Sequence, residues 1–278
     1  MTDFSWLGPV IDARDRFAAE RAALLGDLRA LPPGGWRSPA VPGWSVRDVA
    51  AHLLGDDYAR LSMQRDGHRD GPPFLPGEGL AAYIHRTNQE WVDACARLSP
   101  RALTDTLELT GAAIAELFRT SDPHAPALGV NWAGVDPAPL WLDCAREFTE
   151  HWTHRQQIRH ATGLGTDPDP AALGLVLDTF MRALPHTLRD TPAEDGVQVR
   201  VDVDGPGGGT WTVTAGNGRW SLAPAPAGTP AAVVRLDPET AWLLCTRGIE
   251  PETALERAGL EGDERLGAAV CHIVSIVY

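Results

Sequence analysis

The residues best able to do chemistry lie in the stretch Arg146-Glu147-Phe148-Thr149-Glu150-His151-Trp152-Thr153-His154-Arg155. A carboxylate and an imidazole four positions apart on a helix project the same way, so Glu150 and His154 could grip one ion while His52, on an earlier helix, supplies a third donor. Two histidines and one carboxylate leave coordination positions open, and open positions mean chemistry rather than structural stapling. Spacing alone does not choose the register, because Glu147 and His151 are also four apart and only one pair is expected to face a bundle interior comfortably. The competing reading makes these intrahelical pairs on solvated faces, each contributing about 0.2–0.5 kcal/mol. His52 shares a helical face with Val49, Leu53 and Asp56. Taken alone, it reads first as a satisfied, partly buried core histidine, and the ligand reading gains only with its partners.

These residues need helices to position them, and the first two thirds of the chain read as helices. Apolar residues recur at helical spacing from about Pro9 to Leu31, where Pro32-Pro33-Gly34-Gly35 ends the segment. Ser45 can cap the next helix, with Asp48 near its positive end, and that helix runs to about Arg65. A third spans roughly Gly79 to Leu98, and a fourth follows Ser99-Pro100 with proline at the first helical position. Between Ser121 and Pro139 the pattern dissolves into Pro, Gly, Asp and Asn, which reads as a lid or pocket wall, or equally as a disordered insertion. Leu140 to Thr162 restores a long helix ending at Gly163-Leu164-Gly165, and this helix holds Glu150 and His154. Trp152 points away from that pair and is expected to pack rather than to stack on a ligand. A further helix covers about Ala171 to Leu188.

Past the polar stretch Asp190 to Gly196 the period changes. Val197 to Val203 alternates apolar and polar residues as a half-buried strand does, and Thr210 to Thr214 and Arg219 to Leu222 read as strands joined through Gly216-Asn217-Gly218. Ala231 to Leu236 reads as another strand, Asp237-Pro238-Glu239 starts a helix, and a final helix from Gly262 leads into a tail that pairs or packs. The expected domains are therefore 1–190, helical, and 196–278, small α+β.

Composition narrows the partners. The 278 residues carry a formal net charge of -13, and all 24 basic residues are arginine. That balance argues against nucleic-acid and anionic membrane surfaces, which call for clustered positive charge, and favours small molecules. Four cysteines at 95, 144, 245 and 271 show no Cys-x-x-Cys spacing, so buried, reduced thiols are expected. No basic, then apolar, leader opens the chain and no run approaches the ~20 apolar residues of a membrane span, which together suggest a cytoplasmic protein.

Two motifs resemble a known family. Pro42-Gly43-Trp44-Ser45-Val46-Arg47-Asp48-Val49 followed by Ala51-His52-Leu53, and Glu150-x-x-x-His154-Arg155 followed by Ala161-Thr162-Gly163, are similar to the mycothiol-dependent maleylpyruvate isomerase family. The N-terminal domain of that family is a DinB-like, metal-binding, up-and-down four-helix bundle. The resemblance implies zinc, or another divalent metal, on His52, Glu150 and His154, and leaves Glu147 and His151 outside the pattern. Leu236-Asp237-Pro238 through Trp242-Leu243-Leu244, and Gly262-Asp263-Glu264-Arg265-Leu266, look like the family's smaller C-terminal α/β domain, related in shape to sterol-carrier folds. Arg247 in Cys245-Thr246-Arg247-Gly248 matches the arginine that helps hold anionic substrate, although relatives often show a Gly-Arg pair there; a surface arginine at a helix end is the alternative. Gln157 stands where many relatives place an aspartate, which bears on how the ligands are supported.

The implied activity is thiol-dependent chemistry on a small electrophile, with mycothiol as cofactor: cis-trans isomerisation of a maleylpyruvate-like enoyl acid, or S-transfer. Two other readings stand beside it. One is a non-catalytic, metal-stabilised small-molecule binder; the other is a metal-dependent hydrolase in which Glu150 acts as base.

Overall fold

A computed structural model describes residues 2–167, 169–224 and 228–276. Packing divides the chain into two compact units, one of residues 13–122 with 150–167, the other of residues 1–12, 123–149 and 168–277.

In the first of these, a 3-10 turn at Arg14–Arg16 leads into α1 (Phe17–Ala30). A tight hairpin of β1 (Pro39–Val41) and β2 (Trp44–Ser45) turns at Gly43, whose φ of 84° is a left-handed value that favours glycine. The hairpin delivers Ser45 to the start of α2 (Val46–Arg60), where the Asp48 carboxylate accepts from the Ser45 backbone N–H at 2.9 Å and from its hydroxyl at 2.6 Å. Helix α2 continues into a single π turn at Leu61–Arg65. Then come α3 (Leu80–Ala94) and α4 (Pro100–Thr120), the latter capped by the Ser99 hydroxyl accepting from the Ala102 N–H. Helix α4 packs on α1 and on α2, and α2 also packs on α3. Gly55 permits that last approach, since a Cβ there would lie 2.7 Å from the Trp91 ring, and the Trp91 indole N–H donates to the Ala51 carbonyl at 2.8 Å. Leu24, Leu28, Val49, Leu53, Leu54, Leu103, Leu107 and Ile158 form one buried cluster, and their removal from water is the main force holding these helices together.

In the other unit, residues 123–139 are ordered. Strands β3 (Pro126–Ala127) and β4 (Ala138–Pro139) pair, a 3-10 turn spans Asn131–Ala133, and Val130 bridges Val135. Val130, Trp132, Ala133 and Val135 are buried, which a disordered insertion would not do. The segment is a wall: His124, Pro126 and Pro137 line a cavity of about 630 Å³ together with Phe4, Val10 and Trp141. Helix α5 (Leu140–Ala161) follows, its residues from Glu150 belonging to the α1–α4 unit.

After α6 (Pro170–Phe180) and α7 (Leu184–Thr187) comes the sheet, built from β5 (Gln198–Val203), β6 (Gly209–Gly216), β7 (Arg219–Ser221), β8 (Ala232–Leu236) and, after α8 (Pro238–Cys245) and α9 (Pro251–Arg257), β9 (Gly259–Gly262). Its order is β7-β6-β5-β8-β9, with β5 and β8 parallel and the other pairs antiparallel. Alternation holds in β5: Val199, Val201 and Val203 are buried, while Arg200 and Asp202 pair on the opposite face at 3.0 Å. The β6–β7 turn runs through Asn217 and Gly218, both at positive φ, as a tight hairpin turn requires. Helix α10 (Glu264–Val270) packs on β8 and β9. The tail packs as far as Ser275, whose N–H donates to the Cys245 carbonyl; residues 277 and 278 lie outside the described residues. The β1–β2 and β3–β4 hairpins, helix α9 and strand β9 were not anticipated. The architecture is otherwise the expected helical bundle with a smaller α+β part. No helix among the described residues is long and apolar enough to cross a membrane.

Candidate metal centre

Helix α2 carries His52 on its inner side, 5% exposed, one turn beyond Val49 and beside Leu53. Helix α5 carries Glu150 and His154 one turn apart. The structure brings these three together, their ligand atoms all within 4.8 Å of one another. Both imidazoles aim Nε2 at the same carboxylate oxygen: His52 Nε2 is 3.2 Å and His154 Nε2 3.0 Å from Glu150 Oε1. The two rings meet edge to face with centroids 4.8 Å apart.

Two neighbours fix these rings. Trp44, half-buried, lies with its ring 5.1 Å from that of His52 and is itself tied by its indole N–H to Gln89 Oε1 at 2.8 Å. Gln157 accepts from His154 Nδ1 at 2.7 Å. An amide oxygen only accepts, so Nδ1 carries a proton in this contact, which leaves Nε2 as the nitrogen that would give up its proton to Glu150's side of the site and supply a lone pair when a cation is bound. Gln157, which departs from the aspartate that many relatives carry at this position, thus contacts the ring as a neutral amide. Burial raises the Glu150 carboxyl, but the His154 charge and the hydrogen bonds from His154 and His52 outweigh it and hold the group well below its ordinary range. An ionised carboxylate and two imidazole nitrogens, their ligand atoms all within 4.8 Å of one another, are a donor set suited to a divalent cation.

The alternative register is also buried, contrary to the expectation that only one pair could face inward. Glu147 is 3% exposed and receives Arg146 at 3.1 Å. His151 is 2% exposed, edge-on to Phe17, with Nδ1 3.4 Å from an Arg21 guanidinium nitrogen and Nε2 3.7 Å from Asp57 Oδ1. Asp57 in turn receives Arg21 at 2.7 Å and the Thr110 hydroxyl at 2.5 Å. His151 therefore belongs to a buried polar network. Trp152 is fully buried and packs, as anticipated.

Sequence reasoning gave Asp56 no role beyond sharing a face with His52, yet its Oδ2 is 3.3 Å from His52 Nε2. The available signal was a second four-residue step, His52 to Asp56, matching Glu150 to His154. Arg247 ends α8 at φ 57°, a left-handed value uncommon outside glycine. One of its terminal nitrogens donates to the His272 carbonyl at 3.3 Å, while the other, NH1, is buried without a hydrogen-bond partner among the described residues. All four cysteines are buried thiols outside any disulfide.

Comparison with known proteins places the fold and the family. Residues 12–159 match the family model described as the mycothiol maleylpyruvate isomerase N-terminal domain. Two solved structures share the fold over 88% of this chain and 91% of theirs at 15% identity: a mycothiol-dependent maleylpyruvate isomerase, with a TM-score of 0.50, and a histidine-to-alanine mutant of that isomerase, with a TM-score of 0.52. No curated protein matches the sequence. A family model spanning more than half of the chain, and containing His52, Glu150 and His154, leads to one assignment: the chain belongs to the mycothiol maleylpyruvate isomerase family.

Proposed function

We propose that the chain is an enzyme that uses an external thiol, mycothiol, on a small electrophile, with His52, Glu150 and His154 holding a divalent cation, zinc by its donor chemistry. The observation that carries this reading is the convergence of two imidazole Nε2 atoms on one oxygen of Glu150, at 3.2 and 3.0 Å. When bound, the cation would lower the pKa of a thiol from about 8.5 and so favour the thiolate near neutral pH.

The reaction proposed is cis-trans isomerisation of a maleylpyruvate-like enoyl acid. A thiolate adds to the electron-poor alkene, the former double bond rotates as a single bond, and expulsion of the same thiolate restores the alkene, so no thiol is consumed. S-transfer is that addition completed by a proton on the neighbouring carbon. The residues of the chain divide the remaining work. Gln157 orients the His154 ring, Trp44 walls the His52 side, and the ionised Glu150 supplies negative charge opposite the cation. Arg247 is assigned to an anionic group of the substrate, supported by its unpartnered NH1 and its left-handed backbone. In this division of labour residues 1–190 carry the metal and residues 196–278 carry Arg247. A reducing, cytoplasmic setting suits both an external thiol cofactor and four cysteines outside any disulfide.

The test is metal analysis of the purified chain, followed by mass spectrometry and absorbance assays with mycothiol and maleylpyruvate. The expected result is a stoichiometric metal that His52→Ala and His154→Ala lose, and conversion to the trans acid only when mycothiol is present. An accumulating thioether would assign S-transfer instead. Turnover without thiol would move the reading to a hydrolase, and metal coordination unchanged by saturating thiol would leave a binding scaffold.

A further inference from the structure

The two helices that carry the metal site meet a second time, in a buried polar layer that no step of the proposed reaction uses. We propose that Asp57 is a positioning residue for the metal centre: it locks α2 against α5 and so sets where His52 stands relative to Glu150 and His154. The inference rests on the metal reading above.

Helix α2 supplies His52 and, five residues later, Asp57; α5 supplies Glu150 and, next to it, His151. The two helices therefore face each other at two points, His52 Nε2 to Glu150 Oε1 at 3.2 Å and Asp57 Oδ1 to His151 Nε2 at 3.7 Å. One point of contact leaves a helix free to turn about it, whereas two fix both its rotation and its slide. The second point is built as an anchor. Asp57 is fully buried and its two oxygens are held separately: Oδ1 accepts from Arg21 of α1 at 2.7 Å, and Oδ2 from the Thr110 hydroxyl of α4 at 2.5 Å. Arg21, itself buried, also donates to the Leu107 carbonyl at 3.2 Å and lies 3.4 Å from His151 Nδ1, so one guanidinium ties α1 to α2, α4 and α5. Gly111 makes room for it, since a Cβ there would collide with the Arg21 side chain. A buried carboxylate is costly unless it is paired and hydrogen-bonded, and here the partners come from other helices, so the cost is avoided only in one arrangement of the bundle. Apolar burial holds the same helices together without direction. Ligand atoms must be placed to within about 0.5 Å, and the directional contacts of Asp57, adjoining both ligand-bearing segments, supply that precision.

The experiment loads the full-length protein with Co²⁺, well below each variant's melting temperature, and reads affinity by chelator competition and site geometry from the visible ligand-field bands. Asp57→Asn keeps the side chain's size but turns one acceptor into a donor facing Arg21 or Thr110. It is expected to weaken Co²⁺ binding about 10–100-fold and to shift the bands. Leu103→Ala is the control: Leu103 is fully buried in the apolar cluster of the same bundle, so its truncation should lower the melting temperature while leaving affinity and bands unchanged. Asp57→Asn protein with wild-type affinity and bands would overturn the proposal and leave the polar layer a source of stability alone. An equal loss of affinity in Leu103→Ala would overturn it too, because affinity would then follow stability. If Asp57→Asn does not fold by circular dichroism, Thr110→Val removes one of the two contacts to the carboxylate and should weaken binding by a smaller factor; no weakening there overturns the proposal. Wild-type protein that takes up no Co²⁺ is a separate failure, because it removes the three-residue site itself and the positioning role with it.

Discussion

Gln157 stands one turn beyond His154 and decides which ring nitrogen faces the site, through the 2.7 Å contact to Nδ1. Replacing it with leucine removes the acceptor while keeping the side chain's bulk, so metal affinity should fall about 10–100-fold with little change in melting temperature. Gln157→Asp should bind at least as tightly, since a carboxylate raises imidazole basicity. Chelator competition measures both, and an unaffected leucine variant would show that the ring is held by packing instead. The cysteines give a second prediction. Burial pushes the Cys245 thiol up to about 12 and the Cys271 thiol up to about 11, whereas an unfolded thiol ionises near ~8.5. Above that pH the unfolded chain loses protons that the folded chain keeps, so stability should decline as pH rises from about 8.5 toward 11. At pH 8 a thiol reagent should react slowly with native protein and rapidly in denaturant; a fast native phase would mean that the chain's own thiol competes with the cofactor's. At this scale the sequence made the residue types and the four-residue step legible. It did not make the register legible, because α5 is buried on nearly every side from Trp141 to Ile158. A helix without a solvent face has no apolar stripe from which to read which pair turns inward.

Among the elements, α1 and α5 are joined by charge. Arg155, 2% exposed, donates to both oxygens of Glu20 at 2.5 and 3.1 Å and to Asp167 at 2.6 Å, while Arg159 reaches Asp27 at 3.0 Å. Removing one member of a buried pair leaves the other charge uncompensated, at a cost of about 3–5 kcal/mol. Arg155→Met should therefore lower the unfolding free energy, read from urea titration, by that amount. Adding Glu20→Gln should recover part of the loss, because the stranded charge is then gone. A loss below about 1 kcal/mol would rank the contact with exposed ion pairs. Because Arg155 adjoins His154, the same variant should also loosen the metal site. The sequence revealed most of these elements through their punctuation: Pro32-Pro33-Gly34-Gly35, Ser99-Pro100 and Gly163-Leu164-Gly165 end or start helices as expected. Strand β9 escaped notice for a physical reason. Gly259-Leu260-Glu261-Gly262 is exposed throughout and joins β8 through backbone pairing, so it carries neither alternation nor a buried face.

For the whole chain, the change of period near residue 196 marks a change of secondary structure, while the compact unit that holds the sheet begins earlier in the chain. The sheet's compact unit also takes in residues 1–12, 123–149 and the segment from 168 onward. Specific contacts explain why. The Leu222 N–H donates to the Trp6 carbonyl at 2.7 Å, and Arg182 donates to the Leu7 carbonyl. The Trp211 indole donates to Asp178 at 2.8 Å, and the Ser275 hydroxyl to the Phe180 carbonyl at 2.8 Å. Helix α6 packs on α8 and β6, burying Val176, Leu177 and Phe180. Composition could not reveal this, since contacts between residues about 200 positions apart leave no periodic trace in sequence. The consequence is testable by expressing residues 196–278 alone. That fragment lacks the helix that covers part of its apolar surface, and it exposes polar groups whose partners lie upstream, so burial too small for a stable core is expected. It should show no cooperative thermal transition and weak near-ultraviolet dichroism, whereas the full chain shows both. A fragment that melts cooperatively, with the tryptophan signals of the full chain, would establish that the sheet region folds without α6 and the N-terminal segment, and that these contacts form afterwards.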